Sequence, residues 1–142
     1  MAGRRGRPVA RSLPVGTLLL DAGALIGAAA GDPGVRAYLR AVARLGGEVV
    51  VSTVTLAETL RGDSRDAPIH RLLAATVRLP VSERIGRVAG GLLGRTKLAA
   101  TVDALVAATA ADLEGPVRLL TTDPDDLGAL TEGMPNVRVM RV

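Results

Sequence analysis

Residues 17–30 read Thr-Leu-Leu-Leu-Asp-Ala-Gly-Ala-Leu-Ile-Gly-Ala-Ala-Ala. The apolar run Thr17 to Leu20 stops abruptly at Asp21. A short continuous apolar run of this kind predicts a strand covered on both faces. The small residues that follow predict a short helix over Ala22 to Ala30. Asp21 stands at the seam, where a carboxylate amid apolar neighbours is costly unless something uses its charge.

The same alternation continues outward. Gly31-Asp-Pro-Gly34 reads as a turn. Val35, Leu39, Val42 and Ala43 recur at helical spacing, with Arg36, Arg40 and Arg44 on another face. That arginine stripe reads as a solvated face. Gly46-Gly47 ends the helix, and Glu48-Val-Val-Val51 gives a second strand. Ser52 or Thr53 can cap a helix over Val54 to Leu60, which places Glu58 early in the helix after strand two. Asp66 can cap a helix over Ala67 to Thr76, with Pro68 in its first turn. Val77 to Leu79 forms a third strand, and a helix starts at Ser82 and runs to about Leu93. Gly90, Gly91 and Gly94 in that helix lack the lysine of a phosphate loop and read as close helix packing. Val102 to Leu113 is a strongly apolar helix with Asp103 near its start. Val117 to Leu120 is a fourth strand, Asp123 caps a helix to Leu130, and Val137 to Val139 forms a fifth.

Strands alternating with helices predict an α/β protein, a three-layer α/β/α sandwich on a parallel sheet of four to five strands. Right-handed crossovers restrict the topology, and 3-2-1-4-5 is the expected order. Residues 17–142 read as one domain, preceded by a basic arm over 1–16.

Composition narrows the chemistry. Among 142 residues there is no cysteine, tryptophan or phenylalanine, and only one tyrosine, Tyr38. Disulfides, thiolate metal sites and cysteine nucleophiles are therefore excluded. The net charge of +4 resides in Arg4, Arg5, Arg7 and Arg11, because the rest of the chain balances. Such an arm can attract nucleic acid or serve as a solubilising leader. An export signal is disfavoured by Asp21 within the apolar stretch, so a cytoplasmic location is expected. No stretch is long and charge-free enough to span a membrane.

In open parallel sheets, ligands bind beyond the carboxyl ends of the strands where strand order reverses. Asp21 follows strand one, Asp123 follows strand four, Glu58 lies in the helix after strand two, and Asp103 starts the helix before strand four. All four can face that edge. Carboxylates gathered there repel one another and raise each other's pKa, a penalty that a divalent cation removes. Hard oxygen ligands suit Mg²⁺ or Mn²⁺ rather than zinc. Such a site fits metal-assisted phosphodiester hydrolysis. Thr121 and Asp126 are possible supporting residues. A two-histidine mechanism is excluded, since His70 is the only histidine, and it reads as a surface residue.

Four segments together resemble a known family. Leu18-Leu-Leu-Asp-Ala-Gly-Ala-Leu-Ile26, Thr53-Val-Thr-Leu-Ala-Glu58, Asp103-Ala-Leu-Val-Ala-Ala-Thr-Ala110 and Leu120-Thr-Thr-Asp-Pro-Asp-Asp-Leu127 are similar to the four acidic motifs of PIN domains. The nearest likeness is to VapC-type toxins, and it spans about residues 17 to 142. The resemblance implies a ribonuclease whose metal site is Asp21, Glu58, Asp103 and Asp123. It further implies an RNA substrate such as tRNA, a homodimer, and an antitoxin that lays a cationic residue across the acidic pocket. Two positions depart from the pattern. Ala22 and Gly23 stand where a hydroxyl residue often follows the first acid, and Leu127 stands where an aromatic residue often follows the last.

Two other functions compete. A non-catalytic PIN-type module would bind RNA or protein without cleaving, but the acidic quartet is intact. A phospho-aspartate protein needs a second aspartate two residues after the first, or one after strand three. Gly23 occupies the one place and Pro80-Val81 the other.

Overall fold

The computed structural model describes residues 16–142, so the expected basic arm lies almost wholly outside the described residues. Five strands form one parallel sheet in the order β3-β2-β1-β4-β5, the order expected from the sequence. They are β1 (Thr17–Leu20), β2 (Glu48–Ser52), β3 (Val77–Leu79), β4 (Val117–Thr121) and β5 (Val137–Arg141). The helices are α1 (Ala22–Ala29), α2 (Pro33–Arg44), α3 (Thr53–Thr59), α4 (Ala67–Leu73), α5 (Glu83–Thr96), α6 (Thr101–Asp112) and α7 (Pro124–Leu130). A single 3-10 turn, Ser64–Asp66, precedes α4.

Alternation along each strand sorts the core into two layers. Leu18 and Leu20 face one side, with Val51 and Leu120, beneath the Ala24, Leu25 and Ala28 face of α1 and Val35 of α2. Leu19 faces the other side, with Val50, Val117 and Leu119, against Ile85 of α5, Ala104 and Val106 of α6, and Leu127 of α7. Leu18, Leu19 and Leu20 are each fully buried, which is why this stretch reads as unbroken apolar sequence. β1 is the middle strand, so removal of residues up to Ala30 would destroy the sheet.

The helix starts obey local chemistry. Asp32 accepts from the Val35 N–H, Ser52 from Val54 and Ser82 from Ile85. Leu127 is fully buried among the α6 side chains, so the residue in the usual aromatic position fills the core as a packing substitute.

Four expectations need correction. Helix α3 spans only Thr53–Thr59, starting and ending one residue before the expected bounds, so Glu58 falls in its last turn rather than early. α4 stops at Leu73, where the Thr76 hydroxyl bonds back to the Leu73 carbonyl. Asp66 makes no capping bond to α4; its carboxylate turns back to the Arg61 and Gly62 N–H groups. α5 runs on to Thr96, and a Cβ on Gly90, Gly91 or Gly94 would meet nothing within 4 Å, so these glycines are not close-packing positions.

Candidate active site

β1 and β4 are paired in register, Leu20 opposite Leu120. The next residue of each strand therefore emerges at the same point on the carboxyl edge of the sheet. The Asp21 N–H donates to the Leu120 carbonyl at 3.0 Å, which fixes the backbone there. Beside it, the Thr121 hydroxyl donates to Asp21 Oδ2 at 2.9 Å. Thr121 Oγ1 also accepts the Asp123 N–H at 3.1 Å. Thr121 is only 1% exposed, so one buried hydroxyl ties the acid after β1 to the acid after β4. Asp123 makes no side-chain capping bond to α7, contrary to the capping expected of it, and its carboxylate is left for other use.

Two further elements complete the cluster. α3 crosses the carboxyl edge and packs against both α1 and α6. Its last turn brings Glu58 near Asp21 and Asp103. Asp103 lies in the first turn of α6. Burial pushes its carboxyl above the usual range, and the charges of Asp21, Asp126 and Asp123 push it further. Burial likewise raises Glu58, followed by the charges of Asp21 and Asp103. Each named acid thus lies within electrostatic reach of others. Asp126, in the first turn of α7, acts on Asp103 more strongly than Asp123 does.

The carboxylates feel one another without closing into a coordination shell. Among the described residues, no three His, Asp or Glu side chains are gathered so as to hold an ion as they stand. The donor set is all carboxylate oxygen, which fits a hard divalent cation. His70 lies exposed on α4, outside this cluster.

One contact escaped sequence reasoning. A Cβ on Gly23 would stand 2.2 Å from Thr122 Oγ1. The glycine at the start of α1 therefore admits a hydroxyl from the β4 loop, close to where the family pattern places a hydroxyl residue of its own. The only available signal was that a hydroxyl residue was missing there. In the same short helix as Glu58, the buried Thr55 hydroxyl finds no hydrogen-bond partner among the described residues.

A family model described as PIN domain matches residues 18–130. VapBC2 from Rickettsia felis, solved bound to a DNA fragment from its promoter, superposes with a TM-score of 0.70 at 15% identity, covering 89% of this chain and 98% of that one. A toxin–antitoxin complex from Klebsiella pneumoniae gives a TM-score of 0.63 at 23% identity, over 88% and 99% of the two chains. VapBC-5 from Mycobacterium tuberculosis, of the VapBC family of toxin–antitoxin systems, gives 0.55 at 25% identity, over 89% and 98%. The first two likenesses speak for the fold. No curated protein matches the sequence.

Proposed function

The chain belongs to the PIN-domain family, and we propose that it is a metal-dependent endoribonuclease, the toxin of a toxin–antitoxin pair. Its substrate would be a structured RNA such as a tRNA, and its reaction the hydrolysis of a phosphodiester bond. The observation that carries this reading is the electrostatic meeting of Asp21, Glu58, Asp103, Asp123 and Asp126 at the strand-order switch of the sheet.

In this reading Asp21, Glu58, Asp103 and Asp123 hold Mg²⁺ or Mn²⁺, with Asp126 in support. A bound cation of this kind supplies a water of lowered pKa and positive charge facing the scissile phosphate. The chain's own residues do the rest. The Thr121 hydroxyl fixes the Asp21 carboxylate in one orientation and holds the Asp123 backbone. Without a cation, Glu58 and Asp103 bind protons more tightly than ordinary carboxylates, a penalty that a bound cation would relieve. Bare, these carboxylates would repel the phosphate oxygens of a substrate, a repulsion that a cation held by Asp21, Glu58, Asp103 and Asp123 would offset.

The likeness to VapBC-5, of a family of toxin–antitoxin systems, supports an antitoxin partner for this chain, and a homodimer is part of the same reading. A cationic antitoxin side chain over the acid cluster would compete with the metal for the same charge. None of the described helices is long and apolar enough to cross a membrane, and a cytoplasmic RNA substrate accords with that.

The test uses the purified full chain, free of antitoxin, with labelled total tRNA and Mg²⁺ or Mn²⁺. Discrete cleavage abolished both by EDTA and by Asp103→Asn is the expected result. Cleavage that persists in EDTA would overturn the metal mechanism. A folded protein that binds RNA without cutting it would favour the non-catalytic module.

A further inference from the structure

A cavity lies away from the acid cluster, at the amino ends of β4 and β5. Its volume is about 750 Å³, and its lining includes Pro116, Arg118, Asn136, Arg138 and Met140 but no acidic residue. Arg118 and Arg138 are register partners on adjacent parallel strands, so their side chains leave the same sheet face about 4.8 Å apart at the backbone. This is the face that α1 and α2 cover on the neighbouring β1, over Leu18, the register partner of Arg118, and Leu20. Over Arg118 and Arg138 the cover ends, and both are exposed.

Two guanidiniums side by side on one face repel, and like charges on neighbouring strands are destabilising. Nothing among the described residues relieves them. The ion pairs there join Arg65 to Asp63, Arg84 to Asp112 and Arg87 to Glu83. The Asn136 amide donates to the carbonyls of Leu113 and Gly115, tying the start of β5 to the turn before β4. Thr17, at the start of β1, adjoins the rim: its N–H donates to the Pro116 carbonyl at 2.9 Å. Along β4, Arg118 stands three residues before Thr121, about 10 Å at about 3.3 Å per residue.

We propose that this groove binds phosphates of the RNA strand that is cut at the acid cluster, with Arg118 and Arg138 as the paired phosphate ligands. The inference rests on the nuclease reading for its choice of polyanion. The groove grips backbone charge rather than bases, because the lining offers no aromatic ring for stacking. It adds binding remote from the reacting phosphate, so it sets affinity and salt dependence and leaves the chemical step alone.

The experiment measures binding of a fluorescently labelled single-stranded oligoribonucleotide to the full chain in EDTA, across a salt series. Arg118→Ala/Arg138→Ala should weaken binding at every salt concentration and reduce the log–log salt slope by about 1.4, roughly 0.7 for each phosphate that is no longer neutralised. Arg118→Lys/Arg138→Lys should keep most of the slope. The alanine pair should melt at or above the wild-type midpoint, because a like-charge pair has been relieved, so weaker binding cannot be laid to misfolding. An unchanged slope, beside a wild type that binds RNA and cleaves tRNA, overturns the groove and leaves the nuclease reading standing. A wild type that neither binds nor cleaves RNA overturns both. An alanine pair that keeps RNA but loses its antitoxin makes the groove a protein interface and overturns the proposal.

Discussion

In the loop after α3, the Asp66 carboxylate is drawn out of water, with only 4% of the residue exposed, and accepts the N–H groups of Gly62 at 2.8 Å and Arg61 at 2.9 Å. In the first turn of α6, the half-buried Asp103 carboxylate faces Asp21, Asp126 and Asp123. The residue type is the same and the surroundings are opposite. Backbone donors hold Asp66 below the usual carboxylate range, while burial and like charge hold Asp103 above it. An acid that serves structure is surrounded by donors from its own chain. An acid kept among other acids, with no donor of its own, is waiting for a charge that the chain does not supply.

The largest test of that contrast is Asp103→Asn. Cleavage should fall by more than about a hundredfold, beyond the loss expected from removing an outer-shell partner of a metal. In the same variant without metal, the melting midpoint should hold or rise, because a repelling charge has gone. A variant that both cleaves normally and melts lower would make Asp103 another Asp66 and dissolve the distinction.

Thr121 lies between the two kinds of acid, as a structural donor placed inside the cluster. Thr121→Val removes the bond to Asp21 Oδ2 and the acceptor for the Asp123 N–H. Activity should fall by about 10- to 100-fold, as for other outer partners of metal ligands. The metal concentration for half-maximal activity should rise, and Thr121→Ser should restore both. Equal loss in the Ser and Val variants, at unchanged metal demand, would reduce Thr121 to packing.

Asp66→Asn reverses the readouts. It keeps the shape but loses the charge and half of the acceptor capacity, so the melting midpoint should fall by several degrees. Cleavage per folded molecule should be unchanged. A selective loss of activity at an unaltered midpoint would move Asp66 into the functional set.

The fold was legible because its evidence is local. Each buried strand is a short apolar run, and Leu18 to Leu20 and Val49 to Val51 announce themselves without knowledge of their neighbours. The acids were legible because each follows or precedes such a run. What could not be read depends on distance or on absence. The Thr121–Asp21 bond joins residues 100 positions apart, and as sequence Thr121 is an ordinary strand-end hydroxyl. The Ser52 cap is legible, but the helix it starts is only seven residues long, Thr53–Thr59, so Glu58 lies in its last turn and not early in it. Asp66 has the position of a helix cap, and only the fold shows that two N–H groups from the preceding loop take its carboxylate first. The groove was invisible because a parallel strand is expected to be covered on both faces, and β4 and β5 are not covered over Arg118 and Arg138.

The smallest effect, and the one that tests both acids in a single curve, is the pH dependence of metal-free stability. Asp103 and Glu58 have raised pKa values in the folded state, so the native protein binds protons more tightly there than the unfolded chain. At pH values below their ordinary 3.8 and 4.5 they cost nothing, and stability is lost as pH rises through the raised values. Asp66 is lowered from 3.8, so its contribution is present above that value and lost as pH falls toward the lower one. In EDTA the melting midpoint should therefore decline on both sides of a mildly acidic maximum. The neutral limb should be shallow, because Glu58 is exposed and Asp103 only half-buried, and water and salt screen their repulsion. Asp103→Asn should flatten the neutral limb alone and Asp66→Asn the acid limb alone. If Asp103→Asn leaves the neutral limb as steep as before, the cluster does not strain the folded protein, and the electrostatic case for a cation at this edge loses its support.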